Sequence, residues 1–163
     1  PAQAPEAIVR TGARVEVIDV REAFLELLLD PPHGFGANLN PCIDCKILML
    51  RRAKARLEEL GGSFVFTGEV LGQRPMSQHR QALDKIAQES GLGGRLVRPL
   101  CGQLLSPTVP EQQGILRQEQ LLDMSGRSRA RQTELAGRSE EQSRDNCPPD
   151  REAHTHDHDR FLN

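Results

Sequence analysis

Two kinds of apolar spacing alternate along this chain, and that alternation restricts its fold more than any other feature. Val15-Glu16-Val17-Ile18-Asp19-Val20 repeats with period two and is rich in β-branched residues, which predicts a strand. Arg21 to Leu29 follows with helical character and is ended by Asp30-Pro31-Pro32. The Gly-rich stretch His33-Gly34-Phe35-Gly36-Ala37-Asn38-Leu39 then leads to the best helix start in the sequence. Asn40 is an N-cap residue type and Pro41 suits the first helical position, which needs no N–H. Ile43, Ile47, Leu50, Leu57 and Leu60 recur at helical spacing until Gly61-Gly62 closes the helix.

Ser63 to Thr67 reads as a short, fully buried strand, followed by a loop from Gly68 to Pro75. Met76 to Ser90 is expected as a polar-faced helix with Ala82, Leu83, Ile86 and Ala87 inward and Gly91 as its stop. Arg95 to Arg98 is a third strand candidate, and Leu121 to Ala136 supplies further helical turns broken near Ser125-Gly126. Strands alternating with helices imply βαβ units, hence an α/β domain with a parallel sheet. Ligands of such sheets sit beyond the carboxyl ends of strands, which directs attention to the loops after Val20, Thr67 and Arg98.

From Gly137 onward Cys147, Ala153, Phe161 and Leu162 are the apolar residues, too few to offset the entropy of ordering the segment. The expected organisation is one α/β domain over residues 1–136 and an acidic, disordered tail over 137–163. The 163 residues carry a formal charge of −2, unevenly spread. Residues 1–45 hold 3 basic and 7 acidic groups, residues 46–131 hold 14 and 8, and residues 132–163 hold 4 and 8. The basic middle is a candidate for polyanion contact. Five Phe with no Trp or Tyr argue against RNA recognition by aromatic stacking, and leave recognition by charge and shape.

No run approaches the roughly 18 consecutive apolar residues of a membrane span, and the first residues lack a leader pattern. A cytoplasmic protein without membrane contact is expected, and there four cysteines are reactive or metal-binding more often than disulfide-bonded. The chain does not begin with Met, which suggests a fragment of something longer.

Cys42 and Cys45 are the sharpest chemical feature. Three apart in the first helical turns, they share a face. The helix N-terminus and Lys46 favour a thiolate there, and Asp44 opposes it. Three readings stay open. One is a nucleophilic thiol, for which helix position favours Cys42. The others are two small buried apolar residues, and a zinc site that needs ligands from Cys101, Cys147 or the tail histidines.

The order of further motifs resembles a known family. Asn40-Pro41-x-x-x-Cys45, a helix, a strand ending Phe66-Thr67-Gly68, then Ser77-Gln78 and Arg98-Pro99-Leu100 are similar to the middle of the tRNA-specific 2-thiouridylases and their PP-loop ATPase relatives. The stretches NPCIDCKILMLRRAK, FVFTGEVLGQRPMSQ and SGRSRARQTELA resemble more closely a thiouridylase-like or tRNA methyltransferase-like branch, with likeness from about Val15 to Ala136. The resemblance implies a PP-loop ATPase fold and ATP-dependent sulfur transfer to a tRNA uridine. ATP with Mg is the implied cofactor; tRNA and a sulfur-donor protein are the implied partners. Cys45 is then the catalytic cysteine, with Cys42 or Cys147 as resolving partner.

The family's ATP-gripping Ser-Gly-Gly-x-Asp-Ser loop is not in this sequence, and Glu69 stands where the 2-thiouridylases carry a His after Thr-Gly. The expectation is a domain lacking its first strand and nucleotide loop, unable to hydrolyse ATP by itself. Gly68 and Glu69 are the candidate cofactor-side positions. Arg74, Arg127, Arg129 and Arg131 are candidate RNA contacts. The basic groups from Lys46 to Arg56 read equally as an ordinary solvated helix face. His33 reads as an exposed loop residue, and His154, His156 and His158 as a solvated run. The alternative to a sulfur-transfer enzyme is a non-catalytic fragment, or a metal- or nucleic-acid-binding module built on Cys42 and Cys45.

Overall fold

In the computed structural model, residues 13–36 and 39–145 are described, with side chains as far as Arg138. They form two units, divided between Arg127 and Ser128. The first unit contains helices α1 (Arg21–Leu29), α2 (Cys42–Glu59), α3 (Arg80–Glu89) and the short α4 (Val109–Gln112), with strands β1 (Val65–Phe66) and β2 (Leu96–Val97). The second contains α5 (Ala130–Asp145).

The sheet is small. β1 and β2 pair in parallel with Val65 opposite Leu96 and Phe66 opposite Val97, and Thr67 N–H extends the ladder to Val97 O at 3.0 Å. Because parallel neighbours need a crossover, the chain passes through α3 between them, as the alternating spacings predict. The core gathers where α2 and α3 cover this sheet, through Ile47, Leu50, Leu57, Ile86, Ala87, Leu92 and Leu96. Leu83 and Ile86 are fully buried, each stabilising the fold by about 2 kcal/mol of apolar transfer.

The helix punctuation is built as the sequence implies at some ends and differently at others. Gly61 adopts φ +63°, where a side chain is strained; its N–H bonds Glu58 O, and Gly62 N–H bonds Leu57 O at 2.8 Å. These two bonds make a Schellman cap on α2. At its other end α2 begins at Cys42, with Pro41 in the N-cap position and no side-chain cap. The first helical bond runs from Cys45 N–H to Pro41 O, so the helix starts one residue later than an Asn40 cap would place it. α3 starts at Arg80 rather than Met76, because Arg74 to Gln78 closes a separate turn and His79 Nδ1 caps Ala82 N–H at 3.3 Å. Its inward residues are the four expected, and Gly91 ends it.

Val15 to Val20 forms no strand, in correction of its period-two reading: no strand among the described residues pairs with it, and Val17 is 85% exposed. β-periodicity without a neighbouring strand leaves the backbone groups to water. Ser63 to Thr67 is not a fully buried strand, since β1 has one neighbour and Phe66 is 69% exposed. Leu60 likewise lies outside the core, at the exposed end of α2.

The segment after β2 supplies in loops what the sheet lacks in strands. Leu122 N–H bonds Pro99 O at 2.7 Å, Met124 N–H bonds Leu100 O at 2.9 Å, and Gly126 N–H bonds Leu71 O at 2.8 Å. Leu121 and Met124 are buried as a result. Residues 121–129 are therefore not helical; the helix expected from Leu121 instead starts at Ala130. It continues past Gly137 to Asp145, where a segment without regular structure was expected. Glu134 and Arg138, one turn apart, pair along it. Residues 146–163, with Cys147 and the tail histidines, lie outside the described residues. No helix among the described residues is long and apolar enough to cross a membrane.

Candidate functional site

The first turn of α2 opens onto a cleft of about 370 Å³ whose walls include Cys42, Cys45, Lys46, Arg74 and Ser77, with Phe24 of α1 on one side. Helical spacing of three brings both thiols to this cleft, as their positions predict. Arg74 arrives from the loop after β1, some thirty residues away, so three residues singled out from sequence meet in one place. Both cysteines are half-buried and unpaired by disulfide.

The electrostatics differ from the expectation of a thiolate-favouring helix end. Burial pushes the Cys45 thiol above its ordinary value; Lys46 offsets this in part, and neighbouring Cys42 adds to it. Desolvation is the larger effect, and Cys45 is half-buried in a cleft that Phe24, Arg74 and Ser77 also line. Asp44, expected to oppose the thiolate, is engaged elsewhere. It is 4% exposed, and its carboxylate takes the His33 N–H at 3.1 Å and the His33 ring Nδ1 at 2.6 Å. The other ring nitrogen of His33 meets Glu89 Oε1 at 3.1 Å. His33 is thus a tethered, largely buried group, its side chain 15% exposed, and not a solvated loop residue.

Glu69 is buried behind the cleft. Its Oε2 accepts from Arg98 Nε and Thr67 Oγ1, both at 3.1 Å, and Lys46 Nζ stands 3.5 Å from Oε1. At that separation Lys46 and Glu69 form an ion pair without a hydrogen bond, and Oε1 has no hydrogen-bond partner. Cys101 is fully buried, its Sγ on Glu69 O at 3.4 Å, and burial raises its pKa. It is packed away from the Cys42 and Cys45 cleft. Among the described residues no group of three or more His, Cys, Asp or Glu forms a metal-holding cluster.

Gly68 and Glu69, the candidate cofactor-side positions, do not form a phosphate cradle. A phosphate cradle needs free N–H groups opening a helix after a strand. Gly68 is exposed in a loop, and Glu69 beside it is a buried carboxylate occupied by two cations. A second cavity of about 390 Å³ lies near β2, bounded by Asp84, Gln88, Arg98, Thr108 and Glu111. It holds no thiol, and Arg98 within it is already committed to Glu69 and to Leu83 O. The thiols Cys42 and Cys45 line the other cleft.

The remaining basic candidates divide. Arg56 pairs with Glu16 and Glu59, Lys54 with Glu58, and Arg51 donates to Glu89 O, so this side of α2 is an ordinary paired surface. Arg127 is exposed at the end of the first unit, and Arg129 and Arg131 are exposed in the second. What sequence inspection missed is the pair of buried ionic groups, His33 with Asp44 and Glu69 with Arg98. Charged residues in a loop next to a helix start are too common to mark them. No family model, curated protein or solved structure matches the chain.

Proposed function

We propose that the chain is the thiol-bearing part of a thiouridylase-like protein of PP-loop ATPase type, which transfers sulfur to a uridine of tRNA as part of a longer protein. The observation that carries this reading is the cleft in which Cys42 and Cys45 stand with Lys46 and Arg74. Two thiols one turn apart suit a sulfur relay. In that relay Cys45 carries the sulfur as a persulfide received from a sulfur-donor protein. Cys42 attacks the Cys45 sulfur, forming a Cys42–Cys45 disulfide as the outer sulfur leaves at the sulfide level, and an external dithiol reduces the disulfide. Arg74 supplies phosphate contact at the cleft, and Arg127, Arg129 and Arg131 supply further contacts to RNA. No step is assigned to ATP.

The test is the thionucleoside content of tRNA from cells that carry Cys45→Ser in this gene. Loss of one thiolated uridine, with the protein still present at normal level, is the expected result; undiminished thiolation refutes the role of Cys45. A second reading, resting on the two thiols one turn apart at one cleft, is a non-catalytic module that binds metal or nucleic acid through the Cys42 and Cys45 turn. Stoichiometric zinc or iron in the purified protein, lost in Cys42→Ser, would select it.

A further inference from the structure

We propose that Glu69 is a positioning residue for the thiol cleft, holding the ammonium of Lys46 at the cleft wall as the electrostatic partner of Cys45. Glu69 is 3% exposed and reaches no ligand itself. Its carboxylate is fixed from two sides, by Thr67 and by Arg98, which is 5% exposed and anchored in turn on Leu83 O. That leaves Oε1 buried and without a hydrogen bond, facing Lys46 Nζ at 3.5 Å. A buried carboxylate oxygen in this state strongly attracts the nearest cation.

Lys46 is that cation, and its side chain, 26% exposed, also lines the cleft. Lysine carries its charge on a flexible four-carbon stem and, unanchored, would spread it through solvent. With the anchor, the charge stays at the wall of the cleft that Cys45 also lines. The titratable and charged groups that line the cleft with Cys45 are Lys46 and Cys42 from its own helix and Arg74 from the loop after β1, with Ser77 and Phe24 of α1 also in its walls. Asp44 is held by His33. Burial disfavours the Cys45 thiolate and Lys46 favours it, so displacing that ammonium is expected to lower the thiolate fraction.

This inference deepens the role given to Cys45 above, but its test reads thiol chemistry without RNA, so either can fail alone. The experiment follows alkylation of Cys45 by iodoacetamide in the full chain across neutral to alkaline pH, with the modified peptide quantified by mass spectrometry. Lys46→Met is expected to slow Cys45 alkylation at neutral pH about threefold to tenfold and to move the profile to higher pH, while Lys46→Arg retains most of the rate. Glu69→Gln discriminates further. Removing a negative charge would speed alkylation if only through-space charge mattered, whereas loss of the anchor slows it. Should Glu69→Gln fail to fold by circular dichroism, Glu69→Asp keeps the charge for Arg98 but draws it back from Lys46, and slower alkylation is again expected. An unmoved profile in Lys46→Met, or faster alkylation in either folded Glu69 variant, overturns the proposal.

Discussion

His33 shows how much one side chain's chemistry depends on its partners. Both ring nitrogens meet carboxylates, Nδ1 on Asp44 at 2.6 Å and Nε2 on Glu89 at 3.1 Å, and both can donate only when the ring is the imidazolium. The Asp44 bond above all, aided by Glu89, raises the His33 pKa from its ordinary value of 6.5, against the opposing effect of desolvation. A folded-state pKa raised in this way contributes stability that is fully present below about 6.5 and lost as pH climbs through the raised value. The neighbouring basic group is Arg51, whose Nη2 donates to the Glu89 carbonyl oxygen at 3.0 Å. Urea unfolding at about pH 6 and about pH 9 should therefore show a fall in stability with pH that is larger in the wild type than in His33→Gln. Parallel curves for the two proteins would contradict the clamp. The thiol pair is the converse case at this scale. Its common face was legible from spacing, but the upward displacement of Cys45 was not, since the cleft it lines is completed by Phe24, Arg74 and Ser77, far along the chain.

At the scale of elements, local punctuation decides where α2 ends. Gly61 sits at φ +63° in the Schellman cap, so Gly61→Ala is expected to cost about 1 kcal/mol, read as a lower denaturation midpoint with an unchanged slope. A variant as stable as the wild type would mean the cap relaxes freely. Leu83 is fully buried on α3, and Leu83→Ala should cost between about 2 and 5 kcal/mol by the same measurement. Both positions follow from sequence, one from a glycine pair after an apolar face, the other from helical spacing. Helix starts were less legible. Asn40-Pro41 looks like a cap followed by a first helical residue, yet Gly36 N–H and Cys42 N–H both turn to Asn40 O. The Gly-rich loop is drawn against residue 76, where a Cβ on Gly36 would overlap Met76 Sδ. That tertiary contact sets the entry angle of the chain.

For the first unit as a whole, the dominant feature is a two-stranded parallel sheet covered by α2 and α3 and left with an open edge at β1. Two strands alone are marginal, so stability rests on the helices packed over them. The open edge carries Phe66, 69% exposed, and an exposed apolar edge invites association. Phe66→Lys should raise the concentration at which light scattering appears while changing unfolding free energy by no more than about 0.5 kcal/mol. A large loss of stability would mean that Phe66 is held in the core.

The sequence alone determined the features whose causes are local. Helical spacing marked α1, α2 and the inward face of α3; glycines marked two helix ends; the alternation of periods marked a parallel pair joined through a helix; and Cys42 and Cys45 marked a shared thiol face. Tertiary structure decided whatever depends on partners distant in the chain. Among the described residues it left Val15 to Val20 without a strand neighbour, because pairing is a property of two segments. It joined Asp44 to His33, 11 residues apart, and Glu69 to Arg98, 29 apart. It also buried Cys45 beneath residues that no spacing rule connects to it. Burial and charge pairing arise from which distant segments exclude water together, and that information exists only once the chain has folded.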